Sequence, residues 1–171
     1  MQDGEKGPSD VTTSPRESAQ ASATGATGSF GSASETLGPL REGLSSGLSF
    51  AVSQEDMDAF ARLSADDNPI HSDAAFAQAR GFEGPIVYGG LLVAAISRLL
   101  GTQLPGHGCV WHSLKIDFRA PLYVDETASL TGVVTYHNAE LHLLRVALRL
   151  SCGDRLVAKG EAQASLKQAA S

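Results

Sequence analysis

Two cysteines, one tryptophan and an aromatic content of 6% in 171 residues remove several possibilities at the outset. Cys109 and Cys152 show neither metal-ligand spacing nor a secreted context, so both read as reduced thiols acting as small hydrophobes rather than as a disulfide. Positive charge is also scarce: 13 Lys and Arg stand against 19 Asp and Glu, for a formal net charge of -6. Nucleic-acid affinity rests on clustered cations that displace counterions, so no nucleic-acid partner is expected. Long apolar runs are missing too. The longest, residues 91–96, stops at Ser97 and Arg98, whereas a bilayer span needs about 20 apolar residues, and no membrane span is expected. The opening MQDGEKGPSD lacks the apolar stretch of a secretory signal, which points to the cytoplasm. The length suits one core-bearing domain and is too short for two of ordinary size.

Residues 1–42 are dominated by Ser, Thr, Gly, Ala and Pro, with Phe30 their only aromatic. Such a stretch buries too little apolar area to offset the entropy of ordering it, and it reads as a disordered tail ahead of a domain spanning 43–171. Residues 47–52 suit a strand. Ser53, followed by Glu55 and Asp56, suits a helix N-cap, and Met57, Phe60, Ala61 and Leu63 fall near helical spacing up to about Ser64. Residues 88–104 are apolar almost all the way round, which predicts a helix buried on most sides. Downstream, Leu114, Ile116 and Phe118 alternate with polar residues, as do Leu144, Val146, Leu148 and Leu150, and then Leu156, Ala158, Gly160, Ala162 and Ala164; residues 127–136 fit between. Breaks at Ala120-Pro121, His137-Asn138 and Cys152-Gly153-Asp154 are turn chemistry, and short connections predict antiparallel neighbours. The expected class is α+β, with a curved antiparallel sheet around one central helix.

The chemistry concentrates in Ser64-Ala65-Asp66-Asp67-Asn68-Pro69-Ile70-His71-Ser72-Asp73. Pro69 disfavours helical geometry at Asn68, so the chain turns. Asp66 and His71, which would not share a helical face, can then converge across a loop. A carboxylate and an imidazole meeting at one point can hold a water, the first drawing its proton and the second orienting it. The second element, Gly84-Pro85-Ile86-Val87-Tyr88-Gly89-Gly90, leads into the buried helix. Unpaired N–H groups at a helix start favour negative charge, so the amide near Gly89 suits an oxyanion. An acid/base pair beside an oxyanion donor is what water addition to an enoyl thioester requires, since enolate charge builds on the thioester oxygen.

The run from Phe60 to Asp73, with Phe76-Ala77 and Gly81-Phe82-Glu83-Gly84-Pro85-Ile86-Val87 after it, closely resembles the R-specific enoyl-CoA hydratases of the MaoC-like group. The D-x-N-P-[IVL]-H core carries most of the likeness, which extends over nearly everything after about Gly43. The resemblance implies a hot-dog fold, a homodimer whose interface helps to form an acyl-thioester tunnel, and no cofactor. It matches Asp66 and His71 to the water-activating pair, Asn68 to an amide that braces it, Gly89 to the oxyanion amide and Ser97 to a helix serine nearby. Its reaction would be hydration of a trans-2-enoyl-CoA to the (R)-3-hydroxyacyl-CoA, or the reverse. Two departures bear on the pocket: Tyr88-Gly89-Gly90 replaces the usual His-Gly-Met, and Ala65 replaces a common Gly.

Other readings are open at this point. An Asp and a His beside an Asn-Pro turn can simply cap helices and fill a loop, and it is the flanking match that favours a site. Asp67 and Asp73 are expected to be solvated or capping. His107, His112, His137 and His142 have no Glu-containing helical motif beside them, so no metal is expected. Arg145 and Arg149 read as a solvated strand face, with coenzyme A phosphates as an alternative. A dehydratase acting on acyl-carrier-protein thioesters and a non-catalytic acyl-thioester-binding protein are the competing functions; a thioesterase would rest on fold analogy alone.

Overall fold

The computed structural model describes residues 39–166, and the expected tail therefore lies outside the described residues up to position 38. Strand β1 (Ser45–Phe50) leads through Ser53 into helix α1 (Gln54–Ser64). The predicted cap is a full capping box: the Asp56 N–H donates to Ser53 Oγ at 3.2 Å and the Ser53 N–H to Asp56 Oδ2 at 2.9 Å. A single 3-10 turn, Pro69–His71, precedes the short helix α2 (Ala74–Gln78), which Asp73 caps, and the long helix α3 (Gly89–Thr102). Strands β2 (Cys109–Phe118), β3 (Ala128–Asn138), β4 (Leu143–Cys152) and β5 (Arg155–Leu166) follow. No helix among the described residues is long and apolar enough to cross a membrane.

The five strands form one antiparallel sheet in the order β1-β3-β4-β5-β2. Its inward-facing Leu130, Val134, Leu144, Val146, Leu150 and Ala162 form one core with Leu92, Ile96, Leu99 and Leu100 of α3. Each such aliphatic side chain contributes about 1.5–3 kcal/mol by leaving water. Gly132 leaves room for the helix side chains on the sheet: a Cβ there would lie 3.0 Å from Val146 Cγ1 and 3.1 Å from Leu99 Cδ2. At Gly160 a Cβ would meet the Lys115 carbonyl oxygen at 2.3 Å, so only glycine lets β5 lie this close to β2.

Four expectations need correction. The hairpins β3-β4 and β4-β5 are as predicted, but β2 pairs with β5 and not with β3. The Ala120-Pro121 break therefore opens a crossover between strands that are not neighbours, and the residues after it, Leu122 and Tyr123, pair with Val87 and Ile86. His137 and Asn138 still pair with β4, and the reversal comes after them. Helix α3 is buried on one face only: Gly90, Ala94 and Ser97 are exposed, since a single sheet can cover just one side of a helix. In α1, Met57 is buried, but Leu63 is 83% exposed, because six residues from Met57 puts it on a different face.

The departure at position 65 has a structural consequence. Ala65 is the C-cap of α1 at φ 55° and ψ 24°, a left-handed conformation that costs a residue with a Cβ about 1–2 kcal/mol. Ala65→Gly is expected to raise stability by about 1 kcal/mol, read as a higher denaturation midpoint; an unchanged or lower midpoint would show that the loop bears no strain.

Candidate active site

The loop after α1 is built from side chain to backbone contacts. Asp66 Oδ1 accepts the Asn68 N–H at 3.1 Å, and Asn68 Oδ1 accepts the Ile70 N–H at 3.2 Å. Each bond closes a tight turn, and together they set up the 3-10 turn that ends on His71. Asn68 thus braces the loop through the backbone of Ile70. Pro69 opens that turn.

His71 is half-buried, and its Nδ1 lies 2.7 Å from the carbonyl oxygen of Ile86. A carbonyl only accepts, so Nδ1 carries the hydrogen and Nε2 is the ring nitrogen left for proton exchange. Ile86 is itself fixed, since its N–H donates to the Ile70 carbonyl at 3.1 Å. Tyr88 supplies the second wall of the imidazole: the two rings stack at 3.9 Å and 28°. The Tyr88 hydroxyl donates to the main-chain oxygen of Asp66 at 3.0 Å. The tyrosine that departs from the family pattern therefore spans both halves of the predicted pair. Burial first, and then the nearby Asp66 carboxylate, push its phenol above the ordinary tyrosine value, which keeps it a donor.

Gly89 is the first residue of α3, so its N–H is one of the four with no carbonyl inside the helix. It lines a cavity of about 460 Å³ together with His71, Phe82, Ile86, Leu92 and Phe118. Arg119 also lies on that lining, and it pairs with Asp117 at 3.2 Å. Arg145 and Arg149 do not line it. Gly90 faces elsewhere: a Cβ there would fall 2.3 Å from Phe60 Cζ, so any side chain at 90 requires that ring to move. Ser97 is exposed, about two turns further along α3.

The 3-10 turn and the start of α3 thus bring His71, Tyr88 and Gly89 together at one end of the helix, while Asp66 and Asn68 are exposed on the adjoining loop outside the cavity lining, and Gly90 and Ser97 lie on the outer face of α3. Sequence reasoning did not single out Ile86, Phe82, Leu92, Phe118 or the wall at residues 119–122. The Ala120-Pro121 signal was legible only as a turn, and nothing in spacing tells that a turn faces a helix thirty residues earlier. Among the described residues no group of three or more His, Cys, Asp or Glu could hold a metal ion.

Behind this wall, the Tyr123 N–H donates to Glu126 Oε2 at 2.9 Å, and Glu126 pairs with Arg155. The Arg155 hydrogen bond, helped by the Tyr123 N–H and opposed by burial, holds the Glu126 carboxyl below the ordinary glutamate range. A carboxyl depressed in the folded state stabilises at all pH values above its unfolded pKa, and that contribution fades as pH falls through its folded value. The stability advantage of the wild type over Glu126→Gln is therefore expected at neutral pH and to shrink in acid, as read from urea midpoints; a gap that widens in acid would contradict the ion pair.

Comparison with known proteins identifies the family. The MaoC like domain family matches residues 39–142. The chain is 36% identical over 128 residues to the (R)-specific enoyl-CoA hydratase of Aeromonas caviae, covering 74% of this chain and 96% of that protein. It is 36% identical over 123 residues to the 3-hydroxybutyryl-CoA dehydratase of Methylorubrum extorquens, covering 72% and 78%. The solved (R)-hydratase from A. caviae involved in PHA biosynthesis superposes with a TM-score of 0.71 at 35% identity, covering 76% of this chain and 99% of that one. With five antiparallel strands packed on α3 and this degree of match, the chain has the hot-dog fold and belongs to the MaoC-like domain family.

Proposed function

We propose that this protein hydrates trans-2-enoyl-CoA to (R)-3-hydroxyacyl-CoA, and catalyses the reverse dehydration, with Asp66 and His71 handling the protons. The observation that carries the reading is the His71 imidazole, tied through Nδ1 to Ile86 on the wall of an apolar cavity that also holds the free amide of Gly89. The cavity takes the acyl chain and thioester. A water between the Asp66 carboxylate and His71 Nε2 gives its oxygen to C3 as the carboxylate draws off its proton. The enolate oxygen rests on the Gly89 N–H, and the proton returns to C2 on the same face. All atoms of one water end on the product, and no redox partner or cofactor enters.

Two further parts complete the reading. The protein acts as a homodimer: among the described residues β2 is an edge strand, and it carries Val110 and Phe118 at 40% and 51% exposure, the kind of apolar edge that another chain covers. The thioester is carried by CoA, with the acyl-carrier-protein form as the alternative substrate. Loss of enoyl absorbance with crotonyl-CoA, compared with the same acyl group on a carrier protein, tests the activity and the carrier. Turnover of the CoA substrate supports the reading; binding without loss of absorbance on either carrier would replace it with a non-catalytic acyl-thioester binder.

A further inference from the structure

We propose that Tyr123, Glu126 and Arg155 are positioning residues for His71, acting through the segment 83–87 whose Ile86 carbonyl fixes the imidazole. This rests on the proton-handling role proposed for His71. None of the three lines the cavity, so none touches the reacting atoms.

The connection runs through named contacts. His71 is held by one hydrogen bond to Ile86 and by the Tyr88 ring; its placement is no better defined than that of the Ile86 carbonyl. Ile86 forms an isolated antiparallel bridge with Tyr123, and the Val87 N–H donates to the Leu122 carbonyl at 2.8 Å. At the other end of the segment the Glu83 N–H donates to the Tyr123 hydroxyl at 3.1 Å. Tyr123 thus grips the segment at two points, with its backbone beside Ile86 and its side chain at Glu83. It is held in turn from behind by Glu126 on its N–H, and the Arg155 guanidinium sits 5.6 Å from its ring centroid.

The Glu126–Arg155 pair is poorly explained as a source of stability alone. Among the described residues Arg155 Nε is buried with no hydrogen-bond partner, a cost that a solvated ion pair avoids. Fixing a turn in one geometry accounts for a charged pair at the start of β5, where a carbonyl three contacts away must be held to a fraction of an ångström.

The test uses full-length protein. Tyr123→Phe removes only the hydroxyl, Arg155→Met removes the charge, and Arg155→Lys restores it. Expected in the first two is a fall in kcat on crotonyl-CoA of about tenfold with KM little changed, less than the roughly 10²-fold that a 1 Å misplacement can cost. The His71 ring ¹⁵N signals should shift from the pattern of one fixed tautomer toward an average of two, and Arg155→Lys should recover part of both effects. Unchanged kcat, or a lower kcat with His71 ring signals identical to wild type, would overturn the proposal. His71→Gln serves as the separate control: wild-type activity in that variant would refute the role of His71, while the ring signals of Tyr123→Phe would still decide whether the positioning exists.

Discussion

Asp66→Asn is expected to lower kcat for crotonyl-CoA hydration by about 10²–10⁴-fold, the usual contribution of a positioned acid/base group, while leaving the fold in place. The reason lies in the loop. Asp66 Oδ1 accepts the Asn68 N–H, and an asparagine carbonyl oxygen can accept the same bond, so the turn that leads to His71 survives the exchange. What is lost is the negative charge that draws a proton from water. Thermal midpoints of variant and wild type should agree closely, and that agreement separates lost chemistry from lost structure. Residual activity within a few-fold of wild type would remove Asp66 from its assigned role.

The second large effect is expected from removing a backbone donor. Gly89→Pro takes away the N–H proposed to hold the enolate oxygen, and loss of one oxyanion donor costs about 10²–10³-fold in kcat. Proline is tolerated at the first helical position, where the N–H has no helical partner in any case. Tyr88, the preceding residue, sits at φ -57° and ψ 131°, the extended geometry that a following proline favours. A Cβ at 89 would lie 3.0 Å from Phe118 Cζ, so that ring must give by a few tenths of an ångström. Gly89→Ala adds the same Cβ and keeps the N–H, so it reports the cost of that contact alone. The account expects the alanine variant to remain within several-fold of wild type and the proline variant to fall far below it; equal losses in both would assign the effect to packing at Phe118.

Much of this was legible in the sequence, for identifiable reasons. Alternation with period two found four of the five strands downstream of the helix or ahead of it, and the Ser53 cap marked α1 because its hydrogen bonds are local. The Asp66 to His71 loop was legible because Pro69 forces a turn whatever the rest of the chain does. Tertiary choices were not. That β2 joins β5 rests on pairings across some forty residues of sequence, and no short-range pattern encodes that. The exposed face of α3 was hidden because Gly90 and Ala94 are small and count as apolar or neutral in any periodic pattern. Tyr88 was visible only as a departure; that its ring stacks on His71 while its hydroxyl reaches Asp66 depends on residues 22 positions apart. Ile86, whose carbonyl orients the imidazole, acts through its backbone and leaves no side-chain signature at all.

The claim on which the mechanism stands is that this site adds one water across an enoyl thioester. Incubating the protein with crotonyl-CoA in ¹⁸O-labelled water and analysing the product by mass spectrometry and chiral separation tests it directly. The account predicts 3-hydroxybutyryl-CoA of R configuration bearing a single ¹⁸O at C3, with the thioester intact. Release of free CoA with label in a carboxylate, or the absence of any labelled 3-hydroxybutyryl-CoA, would contradict it.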